Sequence, residues 1–153
     1  MKHTTISREM RNKNRKTMRN NKPKNSVSDK IKQNIMVQFL ELLNMIKLFH
    51  WKTCSYSQHK STDLLYEQLN KHIDKFIELL IIKDNKRIKM VNKKMNLIDI
   101  NDETEFKSKI YEYREFLINM DTIFNKRSDS ALISIKDDIL VDINQFLYLM
   151  TFK

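Results

Sequence analysis

The chain contains no glycine and one proline, Pro23. Tight hairpin turns draw on glycine for backbone angles that other residues reach only at a cost, so a strand-rich fold is poorly supported. Phosphate-cradling loops need glycine for close backbone approach, and its absence excludes P-loop and dinucleotide-binding enzymes. Cysteine is equally scarce. Lone Cys54 has no partner for an internal disulfide, which points to a reducing compartment. No apolar run approaches the roughly 20 residues that span a bilayer, and the first residues are too polar for a signal peptide. The expectation is a soluble, intracellular chain that is not secreted.

Positive charge is what the sequence has in excess. Lys and Arg number 29 against 19 Asp and Glu, a formal net charge of +10. The excess lies at one end: residues 1–28 hold nine cations and one acid, Glu9, for +8, leaving 20 against 18, or +2, in the rest. That segment has almost nothing apolar to bury and cannot offset its own ordering entropy, so residues 1–28 are expected to be a disordered basic arm. A flexible arm of this charge binds phosphate backbones without sequence preference and with steep salt dependence. Arg8, Arg11, Lys13, Arg15, Lys16, Arg19, Lys22 and Lys24 are therefore candidate nucleic-acid contacts. A solubilising tail, a nuclear-localisation patch and a transit peptide are the competing readings.

Residues 29–153 are enough for one core without staples. Ser26 or Ser28 caps a first helix bearing Ile31, Ile35, Phe39, Leu42, Leu43, Ile46 and Phe49, which runs into His50-Trp51. A polar break over residues 52–58 leads to a second helix near 58–83, with Leu65, Leu69, Ile73, Phe76 and Leu80 on its core stripe. Residues 84–100 read as a basic crossover carrying Lys86, Arg87, Lys89, Lys93 and Lys94, with one short helical turn near 88–91. Asn101 or Asp102 caps a third helix running from Phe106 to Phe124, and Ser128 caps a fourth running from Leu132 to Met150. Four helices, with short links except between the second and third, describe an all-α, ferritin-like four-helix bundle with one crossover connection.

The chemistry concentrates at the end of the first helix and along the second. His50, His59, Asp63, Asp74 and Glu78 are imidazoles and carboxylates, the last four in the spacing H-x3-D-x10-D-x3-E. With His59 as zero, Asp63, Asp74 and Glu78 lie at about 40°, 60° and 100° around a helix. Such a stripe is costly to bury unless a cation or another partner meets it, whereas in water it is an ordinary solvated face. From its own chemistry Trp51 reads as an apolar anchor at the bundle end. Tyr56 and Tyr66 are further aromatics near the site. On the fourth helix Asp137, Asp138 and Asp142 read as a solvated edge, since no Glu-x-x-His accompanies them and His72 lies elsewhere. Cys54 reads as an incidental thiol.

His50-Trp51 followed by His59, Asp63, Asp74 and Glu78 resembles the ferroxidase motif of the Dps mini-ferritins. The stretch HWKTCSYSQHK, residues 50–60, is similar to a ferritin-like family of large DNA viruses. The Dps resemblance implies iron as the metal, in a two-iron site across a two-fold interface. His50, His59 and Asp63 would come from one chain, and Asp74 and Glu78 from its mate. It also implies Trp51 beside the metal, a homo-oligomer, at least a dimer with a cage as the family's full assembly, and an arm on nucleic acid; the expected location is intracellular, either cytoplasmic or associated with a nucleoid or virion. Zinc holding the dimer together is the weaker alternative. Two departures stand out: the histidines are only nine apart, closer than in Dps proteins, and the family's loop glycine is missing. They favour a rival reading, a non-enzymatic DNA-packing or virion-associated protein with a degraded site.

Overall fold

The computed structural model describes residues 26–90 and 93–152. The arm expected over residues 1–28 lies outside the described residues except for its last three, and so do all eight of its candidate nucleic-acid contacts. Those last three belong to the fold. Val27 is buried in the core, and Ser28 accepts the backbone N–H of Ile31 at 3.3 Å to cap the first helix.

Four α-helices follow in order: α1 (Asp29–Lys52), α2 (Tyr56–Asp84), α3 (Glu103–Asn119) and α4 (Ser130–Leu149), with a short 3-10 turn at Met120–Thr122. There is no strand among the described residues. Side-chain oxygens cap the starts of the next two helices as well: Ser55 accepts from Gln58 N–H and Asp102 from Glu105 N–H. α2 ends on Asn85 at φ 47°, the left-handed position that glycine usually fills. In a chain without glycine, asparagine is the residue best able to take that role.

Several boundaries differ from expectation. The break between α1 and α2 covers only residues 53–55, so α2 begins two residues before position 58. α3 stops at Asn119, yet Phe124 still packs in the core from the irregular segment beyond it. Asp129, not Ser128, sits at the α4 N-cap position. Residues 86–90 form no helical turn, while Val91 lies outside the described residues. Lys86, Arg87 and Lys89 there, with Lys93 and Lys94 beyond, leave too little apolar surface for a helix to bury.

The described parts of the connection, residues 85–90 and 93–102, instead form a strap laid along α1. Gln33 donates to the carbonyl of Lys89 (2.6 Å), buried Glu41 accepts the backbone N–H of Asn96 (2.7 Å), and Lys52 reaches Asp99 and Asn101. The strap thus travels from the start of α1 to its end. α2 and α3 consequently begin at the same pole: Gln58 donates to Glu103 at 2.6 Å. α4 finishes there too, with Lys107 bonded to the carbonyl of Met150 at 2.9 Å.

The core is a column of aromatic and aliphatic side chains from all four helices. Phe49 stacks on Phe106 with centroids 3.9 Å apart, and Phe106 meets Phe146 edge-on. Deeper in, Phe39 packs edge-on against Phe76 and Phe116, and Phe76 against Phe124. Each fully buried large apolar side chain contributes about 1.5–3 kcal/mol by leaving water.

At the opposite pole ion pairs close the bundle. Lys32, almost wholly buried on α1, pairs with Asp84 at the end of α2. Lys83 pairs with buried Asp129 at 2.6 Å, and buried Lys136 holds Asp121 and Asp137. Burial alone would push the Asp129 carboxyl up. The Lys83 hydrogen bond and charge, with the Asn125 N–H, outweigh it and hold the group below its usual range. Burial would likewise depress Lys136, yet its two carboxylate partners raise it.

Candidate metal centre at the α1–α2 corner

The short break brings the last turn of α1 directly against the first turn of α2. Thr53 and Ser55 tie that corner locally, with the Thr53 hydroxyl donating to Gln58 at 2.6 Å. His50 and His59 then face each other across it. Their rings stack with centroids 3.9 Å apart and 23° between planes. His50 Nδ1 lies 3.1 Å from the His59 carbonyl oxygen, and His59 Nδ1 lies 3.1 Å from the His50 carbonyl oxygen. A carbonyl can only accept, so both Nδ1 atoms carry hydrogen, and in the neutral tautomer that this selects each Nε2 keeps its lone pair. Thr62, fully buried, donates to the Gln58 carbonyl at 2.7 Å, and its oxygen is 3.2 Å from His50 Nδ1.

His50 is buried, while His59 is exposed. His50 Nε2 lies 3.9 Å from Asp63 Oδ1, and Asp63 is exposed to solvent. Two donors on one ion, each about 2.0–2.1 Å from it, stand roughly 3–3.5 Å apart. A small swing of the free Asp63 side chain covers the difference. An imidazole whose other nitrogen is fixed on a carbonyl is the arrangement that orients metal-binding histidines. The donor types, nitrogen and carboxylate oxygen, suit iron and zinc.

One chain does not gather all five candidate ligands. Asp74 and Glu78 are exposed and lie farther along α2, about 17 and 23 Å from Asp63 at the helical rise. Among the described residues no group of three or more His, Cys, Asp or Glu is placed to hold an ion. Trp51 is 68% exposed, so it is not the buried anchor that one reading expected, and Tyr56 is exposed beside it. Tyr66 is half-buried under Lys47, whose Nζ lies 4.6 Å from the ring centroid. Cys54 is exposed in the break.

Two polar features were not apparent in the sequence. Asp142 is not a solvated edge: it is 5% exposed and 2.6 Å from His72 Nδ1. Each of the two stands one residue before a core isoleucine, Ile73 or Ile143, and only the α2–α4 register makes them meet. Glu41 is buried and faces Tyr113, whose hydroxyl is pushed far up by burial, then by Glu41 and Glu112. The inward positions of α2 beside them are Leu65, Leu69, Ile73 and Phe76. That lining lacks the Glu-x-x-His pairs on which metal sites inside a bundle are built.

Residues 50–150 match a family model described as a family of unknown function, DUF5856, and the match opens on His50. Comparison with curated proteins and with solved structures finds no match.

Proposed function

The chain belongs to the DUF5856 family, whose description assigns no activity, and from its own residues we propose a ferritin-like protein of the Dps type that binds and oxidises Fe(II) and associates with nucleic acid. The observation that carries this reading is the reciprocal imidazole–carbonyl pair, which leaves both Nε2 atoms free of the carbonyls, that of His50 lying 3.9 Å from Asp63. The strap along α1 supports the same reading, because a ferritin-like bundle has one long crossover connection. The apolar interior argues that any iron chemistry belongs at the corner, not between the helices.

In this reading the remaining donors come from a second copy. An antiparallel pairing of two α2 helices, its two-fold axis midway between Asp63 and Asp74, sets each copy's Asp74 and Glu78 near the other's His59 and Asp63. Fe(II) is the substrate and peroxide the oxidant. His50 and His59 supply neutral nitrogen, the carboxylates balance the ion's charge, and exposed His59 and Asp63 leave a way in from solvent. Withdrawing free Fe(II) suppresses hydroxyl-radical formation close to nucleic acid held by the basic arm.

The test is anaerobic Fe(II) titration of the purified chain, then peroxide addition followed by ferric absorbance. Saturable binding and rapid oxidation, both lost in the Asp63→Ala, Glu78→Ala double variant, are expected. Oxidation no faster than in buffer would sink the reading. A second reading draws on the same contacts: the Nδ1 bonds and Thr62 already make the histidine pair an adequate staple for the α1–α2 corner. The protein is then a nucleic-acid-packing structural module, and loss of arm charges alters its behaviour while Asp63→Ala does not.

A further inference from the structure

The pole away from the histidines is built from the first turn of α1, the end of α2 with the start of the strap, and the α3–α4 link. Five carboxylates there are paired with four lysines: Asp29 has Lys86 at 2.5 Å, Asp84 has Lys32, Asp129 has Lys83, and Asp121 and Asp137 share Lys136, while exposed Asp138 lines the same groove as Lys126. Beyond these pairs, Lys30, Arg87, Lys89, Lys126 and Arg127 are exposed without an ion pair among the described residues, so cations outnumber carboxylates at this pole. α1 and α4 start at this pole and α2 and α3 finish at it. Their dipoles therefore oppose one another, and the side chains set the field.

The backbone beneath these cations is fixed. Asn125 Oδ1 accepts the N–H groups of Arg127 (2.9 Å) and Ser128 (3.1 Å), and Asp129 accepts from Asn125 N–H at 2.9 Å. Gln33 holds the Lys89 carbonyl. Exposed Asn85, Asn125, Ser128 and Ser130 lie among the cations. Amides and hydroxyls beside Lys and Arg are the groups that meet phosphate oxygens. The large exposed apolar side chains at this pole, Ile31, Ile82 and Ile118, are aliphatics on three different helices. A membrane-surface element would instead present a broad face of Trp, Phe and Leu.

We propose that this pole is a folded polynucleotide-binding surface, in which Lys30, Arg87, Lys89, Lys126 and Arg127 hold backbone phosphates without reading bases. The inference rests on the nucleic-acid half of the reading above and adds to it: the bundle, and not the arm alone, grips the strand. It does not depend on the iron half. The chain enters the described fold at Ser26, at the start of α1, so the arm's cations are tethered to this same pole.

The experiment uses the full chain and a short fluorescent duplex of random sequence, with anisotropy read across a salt series. The pole variant carries Lys30→Gln, Arg87→Gln, Lys89→Gln, Lys126→Gln and Arg127→Gln. The arm variant carries Arg11→Gln, Lys13→Gln, Arg15→Gln, Lys16→Gln and Arg19→Gln. The pole variant should lose at least about tenfold in affinity, and its log–log salt slope should fall by roughly 0.9 for each phosphate contact removed. The exchanges Arg87→Lys, Lys89→Arg and Lys126→Arg should retain binding. Unchanged binding by the pole variant, with loss in the arm variant, overturns the inference and leaves the arm reading intact. If the native chain binds neither duplex DNA nor single-stranded RNA, both fall. Binding only to phosphatidylserine vesicles makes the partner a membrane and overturns the inference as well. Should the pole variant lose its helical circular dichroism, acetylation footprinting of the native chain with duplex decides: Lys30, Lys89 and Lys126 protected supports the surface, and equal labelling with and without duplex refutes it.

Discussion

The buried polar groups at the two poles of the bundle are satisfied in opposite ways. At the α1–α2 corner, imidazoles are held by carbonyls and a hydroxyl, all of them neutral. At the far pole, lysines and carboxylates pair as full charges. The consequences differ. A carbonyl occupies one nitrogen of a histidine and leaves the other able to bind. An ion pair consumes the acids and gives the surface to whichever cations are left over. One pole therefore retains donor atoms and the other retains charge, from the same few residue types.

The largest expected effect breaks the charged pole. Lys32→Ala strips the partner from Asp84 and should cost about 3–5 kcal/mol in urea unfolding, with Lys32→Ala, Asp84→Ala recovering part of it because no orphaned charge remains. A cost below about 1 kcal/mol would mean that the pair behaves as a surface ion pair and that the contrast between poles is false.

Next in size is an acid-dependent effect at the same pole. The Asp129 carboxyl is held low in the fold, so its contribution is present above the unfolded value of about 3.9 and fades as pH falls through the native value. Asp129→Asn should therefore cost about 1.5–3 kcal/mol near pH 6, where a charged hydrogen bond is lost. The gap to the native chain should close on acidification below about pH 4. A pH-independent gap in parallel thermal melts would show that packing, not the charge, is responsible.

The smallest effect should come from the neutral pole. Asp63→Ala removes an exposed carboxylate and should leave stability within about 0.5 kcal/mol while weakening Fe(II) binding. A large loss of stability would make Asp63 part of the corner's framework instead of a donor.

Four helices were legible because each carries a full apolar stripe, such as Phe106, Ile110, Tyr113 and Leu117 on α3. Ser28 and Asp102 could be read as caps because their oxygens act within three residues. Less was legible wherever partners were distant in sequence. Lys32 looks like any surface lysine until α2 returns with Asp84, and Asp142 looks solvated until His72 arrives. At the candidate site the motif placed His50, His59 and Asp63 in one neighbourhood. The spacing of nine that looked like a departure brings the two rings into a stack, because the break is only three residues long. The ring stacking and the reciprocal carbonyl bonds depend on how two helices meet, which no local pattern encodes.

Trp51 is the chain's one tryptophan, it is mostly in water, and it adjoins His50. Its fluorescence is therefore a single-site signal from the α1–α2 corner. The indole is already hydrated in the native fold, so melting the bundle should scarcely shift its emission. An ion held by the neighbouring imidazole should quench it. A thermal scan read at that wavelength would be nearly silent about folding. A titration read at the same wavelength would report on one corner alone.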